Sequence, residues 1–103
     1  MSVTLTWYGH ASFLFEHAGH RVLVDPFLDD NPLAPAKSGD VACDFIVVSH
    51  GHGDHLGETV AIAKRTGATV IANFEIVNWL QGQGLEKLHP QHIGGGFDHP
   101  FGR

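Results

Sequence analysis

Apolar and polar residues alternate along residues 3–8, with Val3, Leu5 and Trp7 on one side and Thr4 and Thr6 on the other. A period of two predicts a strand. Residues 12–17 and 21–25 repeat the pattern, and Ala18-Gly19-His20 between them is short enough for a hairpin turn. Pro26 ends the third strand, and residues 27–41, with Pro32, Pro35 and several acids, read as a loop with at most a short helical turn. The run Phe45-Ile46-Val47-Val48 then predicts a buried strand over residues 44–49.

From here the period changes to that of a helix. Leu56, Val60 and Ala63 share one face of a helix over residues 56–66, and Gly67 is a natural stop. Residues 69–72 form another buried strand. Asn73 is placed to cap a second helix, residues 74–81, with Phe74, Val77 and Leu80 inward. Residues 86–93 suggest a short strand, Gly94-Gly95-Gly96 a flexible turn, and residues 97–103 carry no clear period. Trp7, Phe74 and Trp79 read as core. The order predicts an α/β (α+β) fold: one unit over residues 1–103, with a mixed β-sheet and helices on one face.

That layout leaves a problem of coverage. Leu5, Trp7, Phe13, Phe15, Val22, Val24, Ile46 and Val48 are too many apolar strand positions for two helices to shield on both faces. An uncovered apolar sheet face marks an interface. The expectation is a homo-oligomer, such as a two-fold dimer through the sheet, or a complementary second half.

Composition narrows the function. The chain has 103 residues, 43% of them hydrophobic, with a net charge of −5 and only six Lys and Arg. No basic run offers a phosphate-binding surface for nucleic acid, although a small phosphorylated substrate is not excluded. The single cysteine, Cys43, precedes a strand and reads as a small buried residue. There is no signal-peptide pattern and no long apolar stretch, so a cytoplasmic protein off the membrane is expected.

The chemistry concentrates in His50-Gly51-His52-Gly53-Asp54-His55, on the loop that leaves the buried strand. Imidazole and carboxylate are ligands for borderline and hard divalent ions, and glycine between ligands lets a loop curl so that alternate side chains converge. His50 and His52 point the same way in an extended backbone, while Asp54 and His55 follow where a helix starts. The two pairs suit two neighbouring metals. The plainer alternative, Asp54 merely capping the next helix, leaves three histidines in six residues unexplained.

His-x-His-x-Asp-His is the signature of the metallo-β-lactamase superfamily, which the chain resembles. Tyr8-Gly9-His10-Ala11-Ser12-Phe13, Leu23-Val24-Asp25-Pro26-Phe27, Asn31-Pro32-Leu33, the stretch from Ala63 to Asn73 and Ile93-Gly94-Gly95-Gly96-Phe97 are similar to its small bacterial and archaeal metal-dependent hydrolases. The resemblance implies the N-terminal half of an αββα sandwich, with further metal ligands in a second half. It implies up to two divalent ions, Zn²⁺ first with Mn²⁺ or Fe as alternatives, held by His50, His52, Asp54 and His55. Water activated there would attack an ester, lactone, amide or phosphodiester of a small-molecule substrate, with Asp54 also orienting the nucleophile. By the same resemblance, Asp25 orients a ligating histidine. His10 lies near the metals, where contact with metal or substrate and a simple hydrogen-bonded turn are both open readings. An isolated half can also bind metal without catalysis, or act only with its complement.

The other histidines fall outside the signature. His17 and His20 flank the hairpin turn and read as exposed; His89, His92 and His99 are open to a role as substitute ligands in a truncated site, against the plainer reading of exposed loop residues. Ser49 has no paired base in a recognisable arrangement and is not a nucleophile candidate. Gly94–Gly96 has neither a following helix nor a Lys-Ser/Thr pair, so it is no phosphate cradle.

Overall fold

A computed structural model describes residues 2–103 of the chain. Six strands form one sheet in the order of the sequence: β1 (Thr4–Trp7), β2 (Phe13–His17), β3 (His20–Val24), β4 (Phe45–Val47), β5 (Thr69–Ala72) and β6 (Leu88–Pro90). The first three pair antiparallel, and β3 to β6 pair parallel. The mixed sheet follows from the connections. A tight turn joins antiparallel neighbours, whereas the later strands are separated by the long segments that parallel pairing needs.

The helical segments are α1 (Gly53–Leu56), α2 (Thr59–Thr66) and α3 (Phe74–Gly82), and residues Ser38–Asp40 make a 3₁₀ turn in the long loop. The expected helix over residues 56–66 is therefore two. Gly57 breaks it with φ +48° and ψ −129°, while its N–H closes α1 onto the Gly53 carbonyl. Gly67 ends α2 in the left-handed conformation, and the Asn73 side chain accepts from the Ile76 N–H at 2.9 Å, as the sequence suggests.

Ile62 and Ala63 of α2 and Val77 and Leu80 of α3 join Leu14, Leu23, Ile46 and Val70 of the sheet in one core. Each such aliphatic side chain contributes about 1.5–3 kcal/mol on full burial. Trp7, Phe74 and Trp79 do not belong to it, being 62%, 62% and 49% exposed. Trp7 lies on an edge strand beside Phe13, on the face turned away from the helices. Phe74 is the first residue of α3 and has no preceding turn of its own helix to lie on.

Side chains on that second face stand in two rows across the sheet. One runs Leu5, Phe15, Val22, Phe45, Thr69 and the other Trp7, Phe13, Val24, Val47, Ile71, His89. The expectation of a wholly uncovered face is corrected, because residues 97–103 fold back over part of it. Phe101 packs edge-on against Phe45 at 4.9 Å between ring centroids, and Phe97 lies 4.4 Å from His89. Leu5, Trp7 and Phe15, at the β1–β2 end, stay exposed. Among the described residues, no helix is long and apolar enough to cross a membrane.

Candidate metal centre

Three loops meet at the C-terminal ends of β3 and β4 and the end of β1. The first carries His10. Its turn closes through Tyr8 N–H to the Ser12 carbonyl at 2.8 Å and Ser12 N–H to the Gly9 carbonyl at 3.0 Å. His10 itself has φ +50°, a conformation that a residue without special tolerance adopts only when its surroundings hold it. The Trp7 indole N–H donates to the His10 carbonyl at 3.0 Å and supplies part of that hold.

The second loop begins at Asp25, which is buried and also has a positive φ of +45°. Its backbone continues the parallel ladder, donating to the Val47 carbonyl at 2.9 Å. Its carboxylate faces the end of β4 and is fully engaged. One oxygen accepts from the Ser49 N–H at 2.7 Å, and the other from the Ser49 hydroxyl at 2.5 Å and from His55 Nδ1 at 2.9 Å. A buried carboxylate with this many donors is satisfied as the anion.

The third loop is the signature. His52 occupies the N-cap of α1, so Asp54 is inside the helix and the capping alternative for Asp54 is set aside. Gly51 and Gly53 have ordinary backbone angles and open space around them, so the curl of the loop does not depend on glycine there. The glycine that the geometry does require is Gly57, where an added Cβ would stand 2.2 Å from the Pro26 carbonyl oxygen.

These loops bring His10, Asp25, His50, Asp54 and His55 together, while the exposed His52 is in neither donor set and meets the group through the His50 ring. The rings of His50 and His55 are 4.0 Å apart between centroids, and those of His50 and His52 are 4.7 Å apart. His10 Nε2 lies 3.1 Å from one Asp54 oxygen, and His55 Nε2 lies 3.8 Å from the other. Donor atoms of His10, Asp54 and His55 all fall within 4.8 Å of one another, as do those of Asp25, His50 and His55. The two sets differ in character. Asp25 already accepts three hydrogen bonds, which suits an orienting carboxylate, whereas Asp54 is half-exposed and open to a cation. The Asp54 carboxyl sits below the ordinary carboxylate range. Desolvation pushes it up, but its own backbone N–H and the imidazoles of His55 and His10 pull it down further.

The donor set fits a divalent ion. With His55 Nδ1 donating to Asp25, its Nε2 carries the free lone pair and turns toward Asp54.

Two contributors escape a reading of the sequence. Ser49 is excluded there as a nucleophile, yet it bridges Asp25 and His50, accepting or donating at 2.8 Å to His50 Nδ1. Glu58 accepts from the Leu28 N–H at 2.8 Å and the Asp29 N–H at 3.2 Å, tying the loop after β3 to the start of α2. The position of Ser49 beside the motif is a weak clue, and Glu58 carries none.

The remaining histidines lie apart from this group. His17 and His20 are half-buried rather than exposed, His17 facing the Ser2 carbonyl at 3.1 Å and His20 lying edge-on to Phe45. His89 and His99 are also half-buried, in the aromatic cluster with Phe97 and Phe101, and only His92 is exposed as expected.

Comparison with known proteins agrees with this geometry. A family model described as the beta-lactamase superfamily domain matches residues 4–98. The chain belongs to the metallo-β-lactamase superfamily. Among superfamily members, a UPF0173 metal-dependent hydrolase of Carboxydothermus hydrogenoformans is 54% identical over 94 residues, covering 91% of this chain and 41% of that protein. One from Heliobacterium modesticaldum is 50% identical over 99 residues, covering 96% and 41%. The solved structure of Igni18, a metallo hydrolase from the archaeon Ignicoccus hospitalis, superposes with a TM-score of 0.81 at 33% identity, covering 90% of this chain and 41% of that one. The chain thus spans about two fifths of the length of the superfamily relatives it matches.

Proposed function

We propose that this chain is the metal-binding half of a metal-dependent hydrolase, with His50, His52, Asp54 and His55 as metal ligands and His10 beside them. The observation that carries the reading is the convergence of His10, Asp54 and His55 within 4.8 Å, with the His55 imidazole held by the buried Asp25 carboxylate. A divalent ion, Zn²⁺ first, would supply a water acidic enough to ionise near neutral pH. The substrate class is an ester, lactone, amide or phosphodiester.

The chain's own residues would do the rest. Asp25 holds the His55 ring and keeps its Nε2 free. Asp54, an ionised carboxylate, both ligates and accepts a hydrogen bond from the nucleophile's side, while His10 Nε2 faces the same carboxylate and is placed to exchange a proton with it or with substrate. The ligands present leave coordination positions unfilled. They would be completed by a complementary second half or, across the exposed Leu5, Trp7 and Phe15 end of the sheet, by a second copy of the chain.

Metal binding without catalysis is the second reading, favoured by the exposure of His52 and Asp54. Native mass spectrometry of the chain with Zn²⁺, followed by a panel of ester, lactone and phosphodiester substrates, separates the readings. Bound metal with hydrolysis that His52→Ala abolishes supports the enzyme. Bound metal with no turnover, even with the complementary half added, supports the binding module. A metal-free chain counts against both.

A further inference from the structure

We propose that Ser49 is a positioning residue that relays the hydrogen-bond acceptance of Asp25 to His50 and so sets which nitrogen of His50 is free. The inference rests on the metal-binding reading above and adds a residue that the signature does not contain.

The number of protons available fixes the tautomer. The Ser49 hydroxyl oxygen lies 2.5 Å from an Asp25 oxygen and 2.8 Å from His50 Nδ1. A hydroxyl has one proton to give, and an ionised carboxylate only accepts, so that proton goes to Asp25. The hydroxyl then presents a lone pair to His50. Only the tautomer of His50 protonated at Nδ1 answers it, and the opposite tautomer would set two lone pairs against each other at hydrogen-bond distance. Protonation at Nδ1 leaves the Nε2 lone pair free for a metal. His55 reaches the same state directly, through its own Nδ1 bond to the other side of the same Asp25 oxygen. One buried carboxylate therefore fixes two imidazoles, His55 by contact and His50 through Ser49.

The order of the three groups also decides against covalent chemistry. A nucleophilic serine gives its proton to a histidine that a carboxylate holds from behind. Here the serine stands between carboxylate and histidine, with its proton turned toward the carboxylate.

The test compares Ser49→Ala, Ser49→Cys and Ser49→Thr in the full chain. Ala keeps the backbone N–H bond to Asp25, Cys keeps the shape with a weak acceptor, and Thr keeps the hydroxyl. Long-range ¹H–¹⁵N spectra of the metal-free protein at neutral pH read the tautomer of each imidazole. His50 is expected protonated at Nδ1 in the unsubstituted chain and in Ser49→Thr. Ala and Cys should move it toward protonation at Nε2, with His55 unchanged. Zn²⁺ affinity, measured by competition with a chromophoric chelator, should fall about tenfold or more in Ala and Cys and return in Thr. An unchanged His50 tautomer in either folded variant, Ala or Cys, overturns the proposal. His50→Ala is the control for the underlying reading: undiminished Zn²⁺ binding there sinks the metal site, while the tautomer spectra still decide the role of Ser49.

Discussion

His55 Nδ1 and Asp25 Oδ2 stand 2.9 Å apart, the histidine at the signature helix and the carboxylate at the end of the neighbouring strand. The pair is the joint between the sheet and the candidate metal centre. Asp25→Asn keeps the size and tolerates the positive φ, but it puts an amide N–H₂ where donors converge. The expected result is a loss of Zn²⁺ affinity of about tenfold to a hundredfold. Asp25→Ala should lose stability as well, about 1–3 kcal/mol from the buried donors left without an acceptor. Chelator competition and urea unfolding of the two variants check this, and native-like Zn²⁺ affinity in both would remove Asp25 from the site.

Gly57→Ala should be among the most damaging conservative changes in the chain. Its Cβ would sit 2.2 Å from the Pro26 carbonyl oxygen, with backbone rather than a yielding side chain on the other side. Positive φ adds to the cost. A destabilisation of about 2–4 kcal/mol is expected, from strain and overpacking together. Gly51→Ala and Gly53→Ala, with nothing within 4 Å, should unfold at nearly the unsubstituted urea midpoint.

Glu58 ties the loop after β3 to α2 through two backbone N–H groups. Glu58→Ala is expected to cost about 1–2 kcal/mol in urea unfolding, since the Leu28 N–H is partly buried and would lose its acceptor. Hydrogen exchange should quicken at Leu28 and Asp29 and stay slow at Leu23 in β3. Equal exchange at all three positions would argue against a local tether.

The C-terminal segment should loosen in acid. His99 lies below its ordinary value of 6.5, because burial disfavours its charged form and His89 beside it does the same, while Asp98 opposes them. A depressed histidine favours the folded segment when neutral. Packing is therefore intact above about 6.5 and is lost as pH falls through the lower folded value. Ring-current-shifted signals of Phe101 and Phe45 should move toward random-coil positions between neutral pH and pH 5, with Ile62 and Leu80 methyls unmoved. Signals of Phe101 that stay in place across that range would count against acid loosening of this segment.

Much of this was legible in the residues themselves. The strands, the helix stop at Gly67, the cap at Asn73 and the approach of His50, Asp54 and His55 to one another follow from period, turn chemistry and ligand spacing. The rest depends on neighbours distant in sequence. Gly57 breaks a helix because Pro26 lies against it, Trp7 is exposed because β1 is an edge, and Ser49 meets Asp25 because β3 and β4 are adjacent and parallel. No pattern within one segment carries those facts. Residues 97–103, which have no period of their own, find their place only on a sheet that other residues build.

The positive φ of Asp25 has a consequence for how this gene is free to vary. The backbone there admits few side chains besides glycine, asparagine and aspartate. The three incoming hydrogen bonds admit only a carboxylate on a short arm. Glycine and asparagine meet the first demand and fail the second, and glutamate, with its longer arm, fails both. Aspartate alone lies in the overlap. Position 25 is therefore closed to drift.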